Sequence, residues 1–253
     1  MSVKTQISKK EISSFFEVQK LECSSDGHSD SVYFLDDKYI LKLFEKASEK
    51  SIKEEMNLLE MIRSLSVPRV KTELFYLKEK PALIYTKQKG QSPQKPTLKQ
   101  VEQIALFLKC FHGFTKGKTN RNEKLFDKQR VWTLVKNSKD TRLIEAYESL
   151  EIDLKNDGII HGDIFLDNVV FKEDVLSGVF DFIDACEGDF ILELAVVAFS
   201  WNLDEKGLNV LLSTYGANID SKEFKKYIKY ALICYCSFRA AVKRDYEDII
   251  IGL

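Results

Sequence analysis

The sequence predicts an α+β protein of two lobes: a small antiparallel-sheet lobe with one main helix, and a larger, mostly helical lobe. Three observations predict it. Short β-type runs are confined to the opening part of the chain and to one island, Ile159–Phe182. Helical spacing of apolar residues dominates from Thr97 onward. Between these regions, Pro93 and Pro96 gather with Gly90, so that with Pro81 three of the four prolines lie between residues 81 and 96, a composition that marks a connector. The expected organisation is therefore a lobe over residues 1–86, a linker over 87–97 and a helical lobe over 98–253.

In chain order, Val32–Leu35 and Tyr39–Phe44 are apolar β-type runs joined at Asp36-Asp37, which reads as an antiparallel hairpin. A helix follows. Ser51 with Glu54 fits a capping box at its start, and Ile52, Met56, Leu59 and Ile62 fall on one face. Pro68 lies beyond its end, and Ala82–Thr86 reads as a further strand. Thr97 with Gln100 forms a second capping box, followed by an apolar stripe of Leu98, Val101, Ala105 and Leu108. Most of the remainder reads helical apart from the 159–182 island. A cleft between the lobes is the expected binding site.

Composition excludes several classes. The chain of 253 residues is 44% hydrophobic and 30% charged, ordinary for a globular protein. Its formal net charge of -1 gives no reason to expect a nucleic-acid partner. The run Phe190–Trp201 is the most apolar but is broken by Glu193, and no run approaches the ~18 apolar residues of a membrane span. Met1–Phe16 has no continuous apolar core, so no leader peptide is expected. Five cysteines without a Cys-x-x-Cys pair point to reduced thiols and a cytoplasmic protein rather than to zinc or disulfides.

The chemistry concentrates in Ile159-Ile-His-Gly-Asp-Ile-Phe-Leu-Asp-Asn-Val-Val-Phe171, followed by Val175–Phe182. A turn between Asp163 and Asn168 aims both side chains into one pocket. A strand, turn and strand then bring the chain back, so that Asp181 arrives beside Asn168. Hard divalent cations prefer carboxylate and amide oxygens, which suits Asn168 and Asp181 to Mg²⁺. Asp163 is left to accept a hydroxyl proton. Asp184 is a further candidate for substrate or metal, and His161 for support.

The order His161-x-Asp163, Asn168, Asp181 resembles the catalytic and metal-binding segments of eukaryotic-like kinases. With Gly162 after the histidine, it is similar to the aminoglycoside phosphotransferase and choline kinase superfamily. Within that group it most resembles the type II homoserine kinases, through Phe165, Asp167-Asn168, Ser177–Phe182 and Ala185-Cys186. The resemblance spans nearly the whole chain, and Ile159–Asp181 is its specific part. Asp30 and Val32 stand where the family often has Asn, and Glu193 where it usually has Asp.

The resemblance implies a two-lobed protein-kinase-like fold and transfer of the γ-phosphoryl group of ATP, with Mg²⁺, to a small-molecule alcohol. L-homoserine is the leading acceptor, with an aminoglycoside, choline, a sugar or another metabolite alcohol as alternatives. It implies Asp163 as base and Asn168 and Asp181 as metal ligands. For the nucleotide it implies Lys42 on the phosphates, held by Glu55, with Glu54 the rival better used as a cap partner. Gly27 and Ser31 would belong to the phosphate loop, and Tyr85, Thr86 and Lys87 to the strand facing the adenine. A nucleotide-binding pseudokinase is a third reading, opposed by the joint presence of Lys42, Asp163, Asn168 and Asp181.

Overall fold

The computed structural model of the chain describes residues 3–24, 29–120 and 122–252. A single turn, α1 (Lys9–Ile12), precedes an antiparallel sheet of β1 (Leu21–Cys23), β2 (Ser31–Leu35), β3 (Tyr39–Leu43), β4 (Phe75–Leu77) and β5 (Lys80–Thr86). The spatial order is β1-β2-β3-β5-β4. The expected hairpin is β2–β3. Asp36 (φ 52°) and Asp37 (φ 54°) both take the left-handed conformation that its turn requires.

The main helix of this lobe, α2 (Glu49–Met61), starts earlier than expected. Its N-cap is Ser48, whose Oγ accepts from the Ser51 amide at 3.1 Å. Ser51 is thus inside the helix, and Ser51–Glu54 is not the capping box. Two serines compete at this start, and the upstream cap wins by adding a helical hydrogen bond, Ile52 N to Ser48 O at 3.0 Å.

Strand periodicity gives the sheet two faces. Leu41, Leu43, Ala82 and Ile84 face outward and are covered by Val3, Ile12 and Val18 of the N-terminal segment. Nothing in the periodicity predicted that strap. Leu83 and Tyr85 face inward with Ile52, Leu58 and Leu59 of α2, in a core continuous with that of the larger lobe. Lys42 shares their face of the sheet, opposite Leu83 and Val32 in the register.

The larger lobe contains α3 (Leu98–Thr115), α4 (Lys128–Ser138), α5 (Thr141–Glu148), β6 (Gly158–Ile160), β7 (Val169–Lys172), β8 (Val175–Val179) and β9 (Cys186–Gly188). It ends with α6 (Phe190–Ser200), α7 (Glu205–Tyr215), α8 (Ser221–Ala241) and α9 (Glu247–Ile250). The Thr97–Gln100 capping box forms reciprocally at the start of α3. Leu98, expected on the apolar face, is exposed instead, while Val101, Ala105 and Leu108 are buried. The strand island becomes β6 and the β7–β8 hairpin, with β9 returning to pair with β6. The apolar run 190–201 is α6, buried nearly all round, as its lack of a polar face requires.

The Pro/Gly connector is docked on the larger lobe. Gln91 and Phe171 exchange both backbone hydrogen bonds, at 2.9 and 3.0 Å. Gly90 (φ 138°) permits this approach, because a Cβ there would lie 2.5 Å from the Phe171 carbonyl oxygen. None of the five cysteines is paired, and Cys186, Cys234 and Cys236 are buried. Among the described residues, no helix is long and apolar enough to cross a membrane.

Candidate active site

The turn after β6 carries His161 and Asp163, and its shape is held from below. Glu193 of α6 is wholly buried. Its Oε1 accepts from the amides of His161 at 2.7 Å and Gly162 at 2.8 Å. Its Oε2 meets His112 Nε2 at 2.6 Å, and His112 Nδ1 meets the Tyr215 hydroxyl at 2.8 Å. His112 stacks on Phe190 with ring centroids 3.9 Å apart. Gly162 (φ 77°) is needed because a Cβ there would lie 2.7 Å from the Phe126 ring.

His161 is a brace. Its Nδ1 receives the Asp163 amide at 3.2 Å, and its Nε2 faces the Phe180 carbonyl at 3.0 Å. An amide only donates and a carbonyl only accepts, so these bonds select the tautomer with the proton on Nε2. The imidazole thereby ties the turn of Asp163 to the segment that carries Asp181, and it packs on Phe182.

Asn168 closes the turn. Its Nδ2 donates to the Asp163 backbone carbonyl at 2.8 Å and to Asp163 Oδ2 at 2.9 Å. This fixes the amide orientation and leaves its oxygen pointing away as an acceptor. The Phe180 amide donates to the Asn168 carbonyl at 3.1 Å, which sets Asp181 beside Asn168. Asp181 adopts a left-handed conformation (φ 69°), uncommon outside glycine. The Tyr235 hydroxyl of α8 hydrogen-bonds the Gly162 carbonyl and lies 3.3 Å from Asp163 Oδ1.

Across the cleft, Lys42 Nζ lies 2.6 Å from Asp181 Oδ1, although the two are 139 positions apart in the chain. Its second carboxylate is Asp30 at 3.2 Å, where Glu55 had been expected. Glu55 instead accepts from the Tyr85 hydroxyl at 3.1 Å. Burial holds the Glu55 carboxyl up at about 7, despite the lowering effect of nearby Lys42. Burial also raises Asp163 to about 6, and the negative charges of Asp181, Asp167 and Asp184 push the same way. At Asp181 the cost of desolvation is outweighed by the Lys42 ammonium, so its pKa is lowered. Lys42 is raised, because Asp181, Glu55 and Asp30 outweigh its own desolvation.

The structure thus brings together Lys42, Glu55, His161, Asp163, Asn168 and Asp181. Asp184 lies near enough to Asp181 for that charge, after desolvation, to raise its pKa. Ser31 does not join the cleft. Its buried Oγ accepts from the amides of Lys4 and Thr5, both at 2.9 Å, and donates to Glu45. Gly27 lies outside the described residues. Tyr85, Thr86 and Lys87 have their side chains engaged within the small lobe. Tyr85 bonds Glu55, the Thr86 Oγ1 receives the Arg69 amide at 2.9 Å, and Lys87 Nζ sits 4.4 Å from the Phe34 ring centre.

Asp30, Glu193 with His112, and Tyr235 were not among the expected site residues. Glu193 carried a signal, as the one charge within an otherwise apolar helix, where an unpaired carboxylate would be costly. Asp30 was visible only as a departure from the family pattern. Tyr235 carried none.

A family model described as the phosphotransferase enzyme family (APH) matches residues 22–224. Among curated proteins, the homoserine kinase of Methylocella silvestris is 28% identical, covering 82% of this chain and 74% of that protein. The homoserine kinase of Neisseria meningitidis serogroup B is 27% identical, covering 93% and 88%. Among solved structures, the GDP and kanamycin complex of APH(2")-IIia superposes with a TM-score of 0.69 at 16% identity, covering 96% of this chain and 94% of that one. The choline kinase LicA from Streptococcus pneumoniae superposes with a TM-score of 0.70 at 16% identity, covering 96% and 93%. At such identities the two structures speak for the shared protein-kinase-like fold alone.

Proposed function

We infer that this chain, which belongs to the phosphotransferase enzyme family, transfers the γ-phosphoryl group of ATP to the hydroxyl of L-homoserine. It is a small-molecule kinase. The observation that carries the reading is the convergence of Lys42, Asp181, Asn168 and Asp163 on one cleft, with Lys42 Nζ 2.6 Å from Asp181 Oδ1. Homoserine is favoured among acceptors because the curated relatives matched over most of their chains are homoserine kinases.

The donor set fits a hard divalent cation. Asn168 has its amide nitrogen committed to Asp163 and its oxygen left over. Asp181 uses Oδ1 on Lys42 and has Oδ2 left over. Among the described residues, no group of three or more His, Cys, Asp or Glu forms a protein cage. Mg²⁺ is at home in such a site, because it keeps waters and phosphate oxygens in its shell. When bound there it would neutralise charge on the transferring phosphoryl group.

The protein's own part is positioning. The Lys42 ammonium would bind the nucleotide phosphates. Asp163, kept on its turn by Asn168, His161 and Tyr235, would orient the acceptor hydroxyl and take its proton. Such positioning accounts for much of the rate enhancement in phosphoryl transfer.

Two outcomes are expected. With Asp163 at about 6, kcat/KM should be level near neutrality and fall as pH drops below about 6, where the base becomes protonated. An acid limb that persists unchanged in Asp163→Asn would exclude Asp163 as its source. Asp181→Asn should abolish the effect of Mg²⁺ on ATP binding, read by calorimetry with and without the cation. Unchanged cation dependence would remove Asp181 as a ligand.

The assay for the whole reading is ADP release from Mg-ATP by the purified protein, with L-homoserine, kanamycin, choline or no acceptor in parallel. Turnover with homoserine is expected. Turnover with kanamycin or choline and none with homoserine would overturn the acceptor assignment and leave the kinase intact.

A further inference from the structure

We propose that Asp30 makes nucleotide binding depend on the divalent cation, by holding Lys42 against any nucleotide that arrives without one. The inference rests on the reading of Lys42 as the phosphate anchor.

Asp30 lies at the entry to β2, beside the segment expected to form the phosphate loop. It is buried, 8% exposed. Its Oδ1 accepts the Glu45 amide at 3.0 Å, which fixes the carboxylate in place. Its Oδ2 lies 3.2 Å from Lys42 Nζ. Asp181 contacts the same ammonium at 2.6 Å. One positive charge therefore has two carboxylates in contact, and its own side chain is only 13% exposed. Glu55, the partner expected from the sequence, lies close enough for its charge to act on Lys42, while its hydrogen bond is to Tyr85.

This arrangement sets a condition on entry. Phosphate oxygens compete for Lys42 with two carboxylates and are repelled by both. A cation on Asp181 and the phosphates removes one of those oppositions and lowers the charge of the incoming nucleotide. Metal-free ATP, more negative, meets both in full. The Asp181 side chain is 42% exposed but that of Asp30 only 10%, so repulsion from Asp30 is the less screened by water. Asp30 thereby discriminates between charged states of the same nucleotide, and it does so from the small lobe, across Lys42 from Asp181.

The test is ATP binding by calorimetry in EDTA and in excess Mg²⁺, for the wild-type protein, Asp30→Asn and Asp37→Asn. Asn at position 30 keeps the oxygen that accepts the Glu45 amide, so the fold should persist, and thermal melting checks that it does. The ratio of the metal-free to the Mg²⁺ dissociation constant should fall about tenfold in Asp30→Asn, chiefly through tighter metal-free binding. Asp37→Asn, an exposed turn residue whose loss changes net charge equally, should leave the ratio as it is. An unchanged ratio in folded Asp30→Asn, weaker binding under both conditions, or an equal fall in Asp37→Asn would each overturn the proposal. Wild-type protein that binds no ATP even with Mg²⁺ would instead sink the anchor reading, and the proposal with it.

Discussion

Replacing Asp163 by Asn is expected to lower kcat by about 10²–10⁴-fold, the usual contribution of a positioned base, while the dissociation constant for Mg-ATP stays within about threefold. The substitution is nearly isosteric. The Asn168 Nδ2 bond to Oδ2 at 2.9 Å can be retained by the new amide oxygen, and His161 still receives the backbone amide of residue 163. What disappears is the ability to accept the hydroxyl proton. A loss confined to kcat separates a group that acts in the transition state from one that merely binds substrate. The acid limb of the pH profile should disappear with it. Steady-state turnover and ATP calorimetry on the same preparation decide the matter, and wild-type turnover in the variant would refute the assignment.

Glu193→Ala should cost about 3–5 kcal/mol of stability, the range for breaking a buried charged contact by removing one partner. The carboxylate is fully buried and serves three groups: the amides of His161 and Gly162, and His112 Nε2. Alanine leaves all three without their partner in a dry environment, and each unpaired amide is itself worth about 1–3 kcal/mol. In a chain of this size the melting temperature should fall by about 10 °C. Glu193→Gln keeps an oxygen for the two amides and offers an amide to the imidazole, so it should recover most of the loss. Glu193→Asp is a methylene shorter and should fail to reach both His112 and the turn. Melting curves for the three variants give an ordering that a simple cavity would not produce. If alanine melts with the wild type, Glu193 does not hold the turn.

The Glu193 case has a direct bearing on how the motif works. The order His161, Asp163, Asn168, Asp181 was legible because its parts act locally. A turn, a hairpin and one imidazole bring Asp163, Asn168 and Asp181 together through contacts within a short stretch of chain. The hairpin at Asp36-Asp37 and the Thr97–Gln100 cap were legible for the same reason: each is satisfied by atoms within a few residues. Even a local signal fails when two candidates compete, as Ser48 and Ser51 do at the start of α2. The support beneath the turn was not legible in this way. Glu193 and His112 meet from two helices 81 positions apart, and Tyr235 reaches Gly162 from a third.

By itself, then, the sequence determined the class of fold and singled out Lys42, Asp163, Asn168 and Asp181 as the cluster proposed to react, and strand periodicity ties each strand residue to a face. Tertiary structure alone decided which carboxylates meet that lysine, Asp30 and Asp181 with Glu55 turned to Tyr85. It alone turned Ser31 away from the cleft and into the N-terminal strap. The physical reason is common to both. A side chain's face follows from backbone geometry within a few residues, but its partner follows from how separate elements pack. Several carboxylates of equal chemistry, some near Lys42 in sequence and Asp181 139 positions away, could compete for one ammonium, and only their positions in space distinguish them.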